Sequence, residues 1–134
     1  MSHIVFFQAL ADETRLRMIV LLADGRELAV GELVAALALS QPKVSRHLAH
    51  LREARIVEVR RRAQWVLYRL SDGLEPWQTR TIATIREGLR GRDPFRADAA
   101  RLPAAGTGAA PPAARRPASP PSGELRGRHG GTPH

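Results

Sequence analysis

The sequence predicts a mainly α fold with a small β-hairpin, a winged helix-turn-helix, and three observations predict it. Val30 to Leu51 reads as two short helices joined by a tight turn at Leu39-Ser40. The second of these helices carries an apolar stripe on one side and basic, polar residues on the other. Directly after it, Ile56 to Arg60 and Gln64 to Leu70 are rich in β-branched, aromatic and arginine residues, and they flank Arg61-Arg62-Ala63 as a hairpin with a basic tip.

Each element has its own signals. Ser2 or His3 opens a short helix with Ile4, Val5, Phe6, Ala9 and Leu10, and Asp12 is a suitable N-cap for a second helix to about Leu22. Leu16, Ile19, Val20 and Ala23 repeat there at helical spacing, and Asp24-Gly25 stops it. Glu27 to Val30 is a short connection, followed by a compact helix with Leu33, Val34 and Leu37 inward. Ser40 caps the next helix, where Pro42 falls in the first turn and its missing amide proton has no intrahelical partner to lose. From Gln41 to Ala54 the apolar residues Val44, Leu48 and Leu51 sit at i, i+4 and i+7 and mark the buried face. Ser71-Asp72-Gly73 ends the hairpin, and Leu74 to Arg90 forms a last helix striped by Leu74, Trp77, Ile82, Ile85 and Leu89. Trp65 and Tyr68 read as packing residues.

Composition divides the chain. From Pro94 onward lie eight of the ten prolines and six of the eleven glycines, with Phe95, Leu102 and Leu125 as the large apolar residues. So little apolar surface cannot offset the entropy of ordering, which predicts a domain over residues 1–92 and a disordered Pro/Gly/Ala/Arg-rich tail over 93–134. A domain that small gains from a second copy that adds buried surface.

The chain has no cysteine, so disulfides, thiolate metal sites and cysteine nucleophiles are excluded. Its first residues lack a basic n-region and a cleavage site, and no stretch approaches the ~20 apolar residues of a membrane span. There is no nucleophile-base-orienter set and no glycine-rich phosphate loop after a strand, which argues against an enzyme.

The net charge is +8, and residues 41–69 hold Lys43, Arg46, Arg52, Arg55, Arg60, Arg61, Arg62 and Arg69 against Glu53 and Glu58. Such a run is ordinarily a solvated face; coinciding with a helix-turn-helix and hairpin, it points to double-stranded DNA. On the second helix Gln41 and Ser45 suit base edges, Lys43 and Arg46 suit guanine or phosphate, and His50 lies on the same outer side. The amide and hydroxyl of Ser40 suit a phosphate at the helix start, and Arg60, Arg61 and Arg62 suit the minor groove or backbone. His47 flanks the buried face, so packing and DNA contact are both open to it.

The segments FQALADETRLRMIVLL, ELAVGELVAALALSQPKVSRHLAHLREARIVEVRR and WVLYRLSDGL together resemble the ArsR family of winged helix-turn-helix repressors, over residues 4 to about 90. The resemblance implies a homodimer held by the first and last helices, reading a near-palindromic operator in successive major grooves. It places a histidine at His47 among the DNA contacts and, with the regulator reading, implies a cytoplasmic protein. Many such repressors leave DNA when a metal or metalloid binds. Here the implied thiolate positions are Ala29 and Gly31, which have no ligand atom, and the last helix offers Glu75 and Glu87 but no histidine for the family's second site. No metal or cofactor is therefore expected, and the effector is left open: an organic ligand or a protein partner, with a protein-interaction module as the reading outside regulation. Arg55 stands where relatives carry the glycine that ends the second helix, and Ala63 near a usual wing-turn glycine, so a differently built helix end is expected and the wing angle is left open.

Overall fold

The computed structural model describes residues 3–102. In chain order it has α1 (His3–Leu10), α2 (Glu13–Leu22), a 3-10 turn (Ala23–Gly25), β1 (Leu28–Ala29), α3 (Val30–Leu37), α4 (Gln41–Glu53), β2 (Val57–Arg62), β3 (Trp65–Leu70), α5 (Pro76–Leu89) and α6 (Phe95–Arg101). The sheet order is β1-β3-β2, antiparallel throughout, with Leu28 opposite Tyr68 and Val57 opposite Leu70. The hairpin is thus backed by a two-residue strand, drawn from the connection expected at Glu27 to Val30.

Asp12 caps α2 by accepting from the Arg15 amide at 3.0 Å, and Ser40 caps α4 by accepting from the Lys43 amide at 3.3 Å. Met18, Ile19 and Leu22 of α2, Leu33 and Leu37 of α3, Leu48 and Leu51 of α4, and Ile82 of α5 are fully buried together. Four helices therefore share one core, and α4 is held to it by a single face. Phe6 packs edge-on against Trp77, with ring centroids 5.3 Å apart, and so joins α1 to α5.

The turn after α4 keeps a glycine-type geometry without glycine. Arg55 has φ 62°, its amide donates to Arg52 O at 2.9 Å, and the Ile56 amide donates to Leu51 O at 3.0 Å. These two bonds and the buried Leu51 and Ile56 side chains form a Schellman motif, which offsets the ~1 kcal/mol or more that a left-handed arginine costs. Ala63 likewise takes φ 54° at the hairpin loop. The expected rebuilding of this helix end does not occur: hydrogen bonds and burial enforce the backbone, and the residue complies.

Two expectations are corrected. The hairpin tip is Ala63-Gln64, and Arg60, Arg61 and Arg62 lie inside β2, paired with Leu67, Val66 and Trp65. Strand pleating then sends Arg60 and Arg62 to one face and Arg61 to the other. The domain also does not stop at residue 92. α6 docks on α2 and α3, burying Phe95 and Asp98, and Leu102 packs against the core. The expected tail beyond Leu102 lies outside the described residues.

Candidate nucleic-acid interface

α4 is fixed from below by Val44, Leu48 and Leu51, each at most 1% exposed. Its opposite side presents Gln41, Ser45, Arg46 and His50 to solvent, with Lys43 half-buried beside them. Ser40 is exposed at the helix start, beside amides whose positive end favours an anion. Among the described residues neither Lys43 nor Arg46 is in an ion pair, so their charge faces outward unneutralised.

His47 is placed differently. Its side chain is only 13% exposed, and Nδ1 lies 3.8 Å from Asp12 Oδ2. Burial lowers its pKa below the ordinary histidine value; the carboxylate of Asp12 opposes this, while Arg15, Arg46 and Lys43 add to it. For Asp12 burial acts upward but is outweighed by the Arg15 amide and the Arg15 and His47 charges, so its pKa is lowered. Of the two roles open to His47, this geometry favours packing against the N-cap of α2.

The wing's arginines are engaged by acids. Arg69, 4% exposed, lies across the strands from Glu58 and donates to Glu58 at 2.9 Å and to Asp72 at 3.0 Å. Its Nε sits 3.6 Å from Glu27, whose side chain is 1% exposed just before β1. Arg62 is 3.3 Å from the other oxygen of Glu27, and Arg60 is 3.5 Å from Asp72 and 4.0 Å from Glu58. Arg61 is exposed and has no ion pair among the described residues. Sequence reasoning missed this network because Glu27 is remote from the arginines along the chain and Arg60 meets Asp72 only through the strand pairing. The available signals were Glu58, two residues from Arg60 on the same pleated face, and Asp72, three residues after Arg69.

No group of three or more His, Cys, Asp or Glu among the described residues could hold a metal. At the start of α3 the Ala29 amide donates to Glu32 Oε1 at 3.0 Å, and Gly31 is exposed. No helix among the described residues is long and apolar enough to cross a membrane.

A helix-turn-helix whose outer helix is basic, followed by a hairpin, defines the winged-helix class. Comparison with known proteins narrows it. Residues 12–59 match the family described as bacterial regulatory protein, arsR family. The arsenical resistance operon repressor of Escherichia coli is 48% identical over 79 residues, 59% of this chain and 68% of that protein. The structure of HlyU from Vibrio cholerae superposes with TM-score 0.58 at 38% identity, covering 65% of this chain and 90% of that one. A Mycobacterium bovis domain, Mb0332, described as a homodimeric winged helix-turn-helix DNA-binding domain, superposes with TM-score 0.53 at 28% identity, over 66% and 82%. The chain belongs to the ArsR family of regulatory proteins. Its matches span 57–68% of the length of the first arsenic-resistance regulators it resembles.

Proposed function

We propose that this chain is a homodimeric transcriptional repressor, without catalytic activity and working in the cytoplasm, that reads a near-palindromic operator through α4. The observation that carries this is the outward row Gln41, Ser45, Arg46 and His50 on a helix pinned to the core, with no acidic partner for Arg46 among the described residues. The printed names of the Escherichia coli repressor and the homodimeric Mycobacterium bovis domain support the repressor and dimer readings. So does the outer side of α1, where Ile4, Val5 and Phe7 are 52%, 40% and 48% exposed: large apolar residues grouped on one short helix suit a second copy.

Selection of the full chain against a random duplex library tests this. The expected product is a motif with half-sites about one helical turn, ~10 base pairs, apart. Affinity for it should fall by about 10³–10⁵ between 50 and 200 mM salt if about 6–10 phosphates are contacted. Recovery of no motif, or binding indifferent to salt, would overturn the reading.

The signal that releases DNA is a separate matter. Relatives are named for arsenic resistance, yet Ala29 and Gly31 offer no ligand atom and the sequence contains no thiolate. Stoichiometric arsenite should therefore leave the selected duplex bound, whereas release at that ratio would show a metalloid site built from other groups.

A further inference from the structure

α3 is eight residues long, too short to persist as an isolated helix, and it ends on Ala38 at φ 55° without the glycine that such a position favours. Its last carbonyls are satisfied from outside the helix. Arg17 of α2 donates from Nη2 to Leu37 O at 2.9 Å, and Arg101 of α6 donates from Nη1 to Ala36 O at 2.8 Å. Both guanidiniums thus sit at the negative end of the helix dipole.

One carboxylate orients both. Asp98, 1% exposed, accepts from Arg17 Nε at 2.8 Å and from Arg17 Nη2 at 2.7 Å in a two-pronged pair, and from Arg101 Nη1 at 3.3 Å. The planar guanidinium leaves little rotational freedom once both prongs are engaged. The bond to Asp98 raises the Arg17 pKa beyond its ordinary value, so the guanidinium stays charged. A buried ion pair is weak evidence for stability, because desolvation offsets most of the attraction. Its firmer consequence is geometric: the end of α3 is placed by contacts from α2 and α6, and only Ala38, Leu39 and Ser40 separate that end from α4.

We propose that Asp98 is a positioning residue for DNA reading, setting the angle between α3 and α4 and thereby the discrimination between operator and other duplex. This rests on the DNA-reading function proposed above. The family-like segments hold Arg17 and the end of α3, but Asp98 and Arg101 lie beyond them on α6.

The test uses the full chain with Asp98→Asn and, separately, Arg101→Ala, whose side chain is 44% exposed and whose loss spares the Arg17 pair. Anisotropy titrations against the selected duplex and a scrambled version give the specificity ratio and the salt slope, and circular dichroism melting reports folding. Asp98→Asn should lower the ratio by about tenfold and Arg101→Ala by about threefold, within the range typical of coupling through a packed network. Binding to scrambled duplex and its salt slope should stay nearly unchanged, because the basic side chains of α4 and the wing remain in both variants. A ratio unchanged in both variants overturns the proposal. So does a parallel loss on both duplexes, which is the mark of a purely structural staple. Should Asp98→Asn fail to fold, an unchanged ratio in Arg101→Ala alone overturns it. A wild-type chain that shows no preference between the duplexes overturns the DNA reading itself, and is recognised before any variant is made.

Discussion

The helix α4 and the wing are both rich in basic residues, and they hold that charge on different terms. On α4, Arg46 projects into solvent and Lys43 lies half-buried, and no carboxylate pairs with either among the described residues. On the wing, Arg60, Arg62 and Arg69 share Glu27, Glu58 and Asp72, which leaves Arg61 as the wing arginine outside the network. Counting arginines along the chain therefore overstates what the wing offers to DNA. What matters is which acids the fold brings beside each one.

The contrast can be broken most severely from beneath α4. Leu48→Ala removes a side chain that is 1% exposed and should cost ~2–5 kcal/mol in urea denaturation. A change at the half-buried Val66 of the wing should cost distinctly less, and equal losses would mean that both elements are anchored alike. Next comes the outward face. Arg46→Ala should weaken operator binding by ~1–3 kcal/mol if it reads a guanine, whereas Arg62→Ala, already paired, should cost less than about 1 kcal/mol. Equal effects of the two would erase the distinction between helix and wing.

A smaller effect has the opposite sign. Asp72 is 67% exposed and engages Arg60 and Arg69, so Asp72→Asn should free positive charge and tighten duplex binding by ~0.2–1 kcal/mol, with a steeper salt slope. Weaker binding instead would show that Asp72 shapes the wing more than it neutralises it.

The smallest effect concerns His47. Its pKa is depressed, chiefly by burial, so the unfolded chain takes up that proton first as pH falls. Its stabilising contribution is therefore complete above about 6.5 and declines as pH drops through that value toward the folded pKa. Stability profiles from pH 7 to 5, the range of about pH 5–8 in which histidine titrates, should be flatter for His47→Gln than for wild type. Identical slopes would remove His47 from the account of acid sensitivity.

Much of this was legible in the sequence. The caps at Asp12 and Ser40 and the stripe Val44, Leu48, Leu51 are local signals, written within a turn or two of one another. The outer face of α4 followed by elimination. The wing network was not legible, because it joins Glu27, Glu58, Arg62, Arg69 and Asp72 through strand pairing that no local pattern specifies. Nor was α6. Its composition is that of the segment after it, and only Phe95 and Leu102 hint at packing; the decisive contact, Arg17 with Asp98, spans 81 residues. Arg55 and Ala63 teach a related point, since the absence of glycine did not change the turn.

The clasp at Asp98 also makes α6 a working part of the helix-turn-helix. Leu102 rests on the core one residue after Arg101 reaches Ala36 O, so a cut before Phe95 would strip the last turn of α3 of an outside donor and the Arg17 guanidinium of its carboxylate.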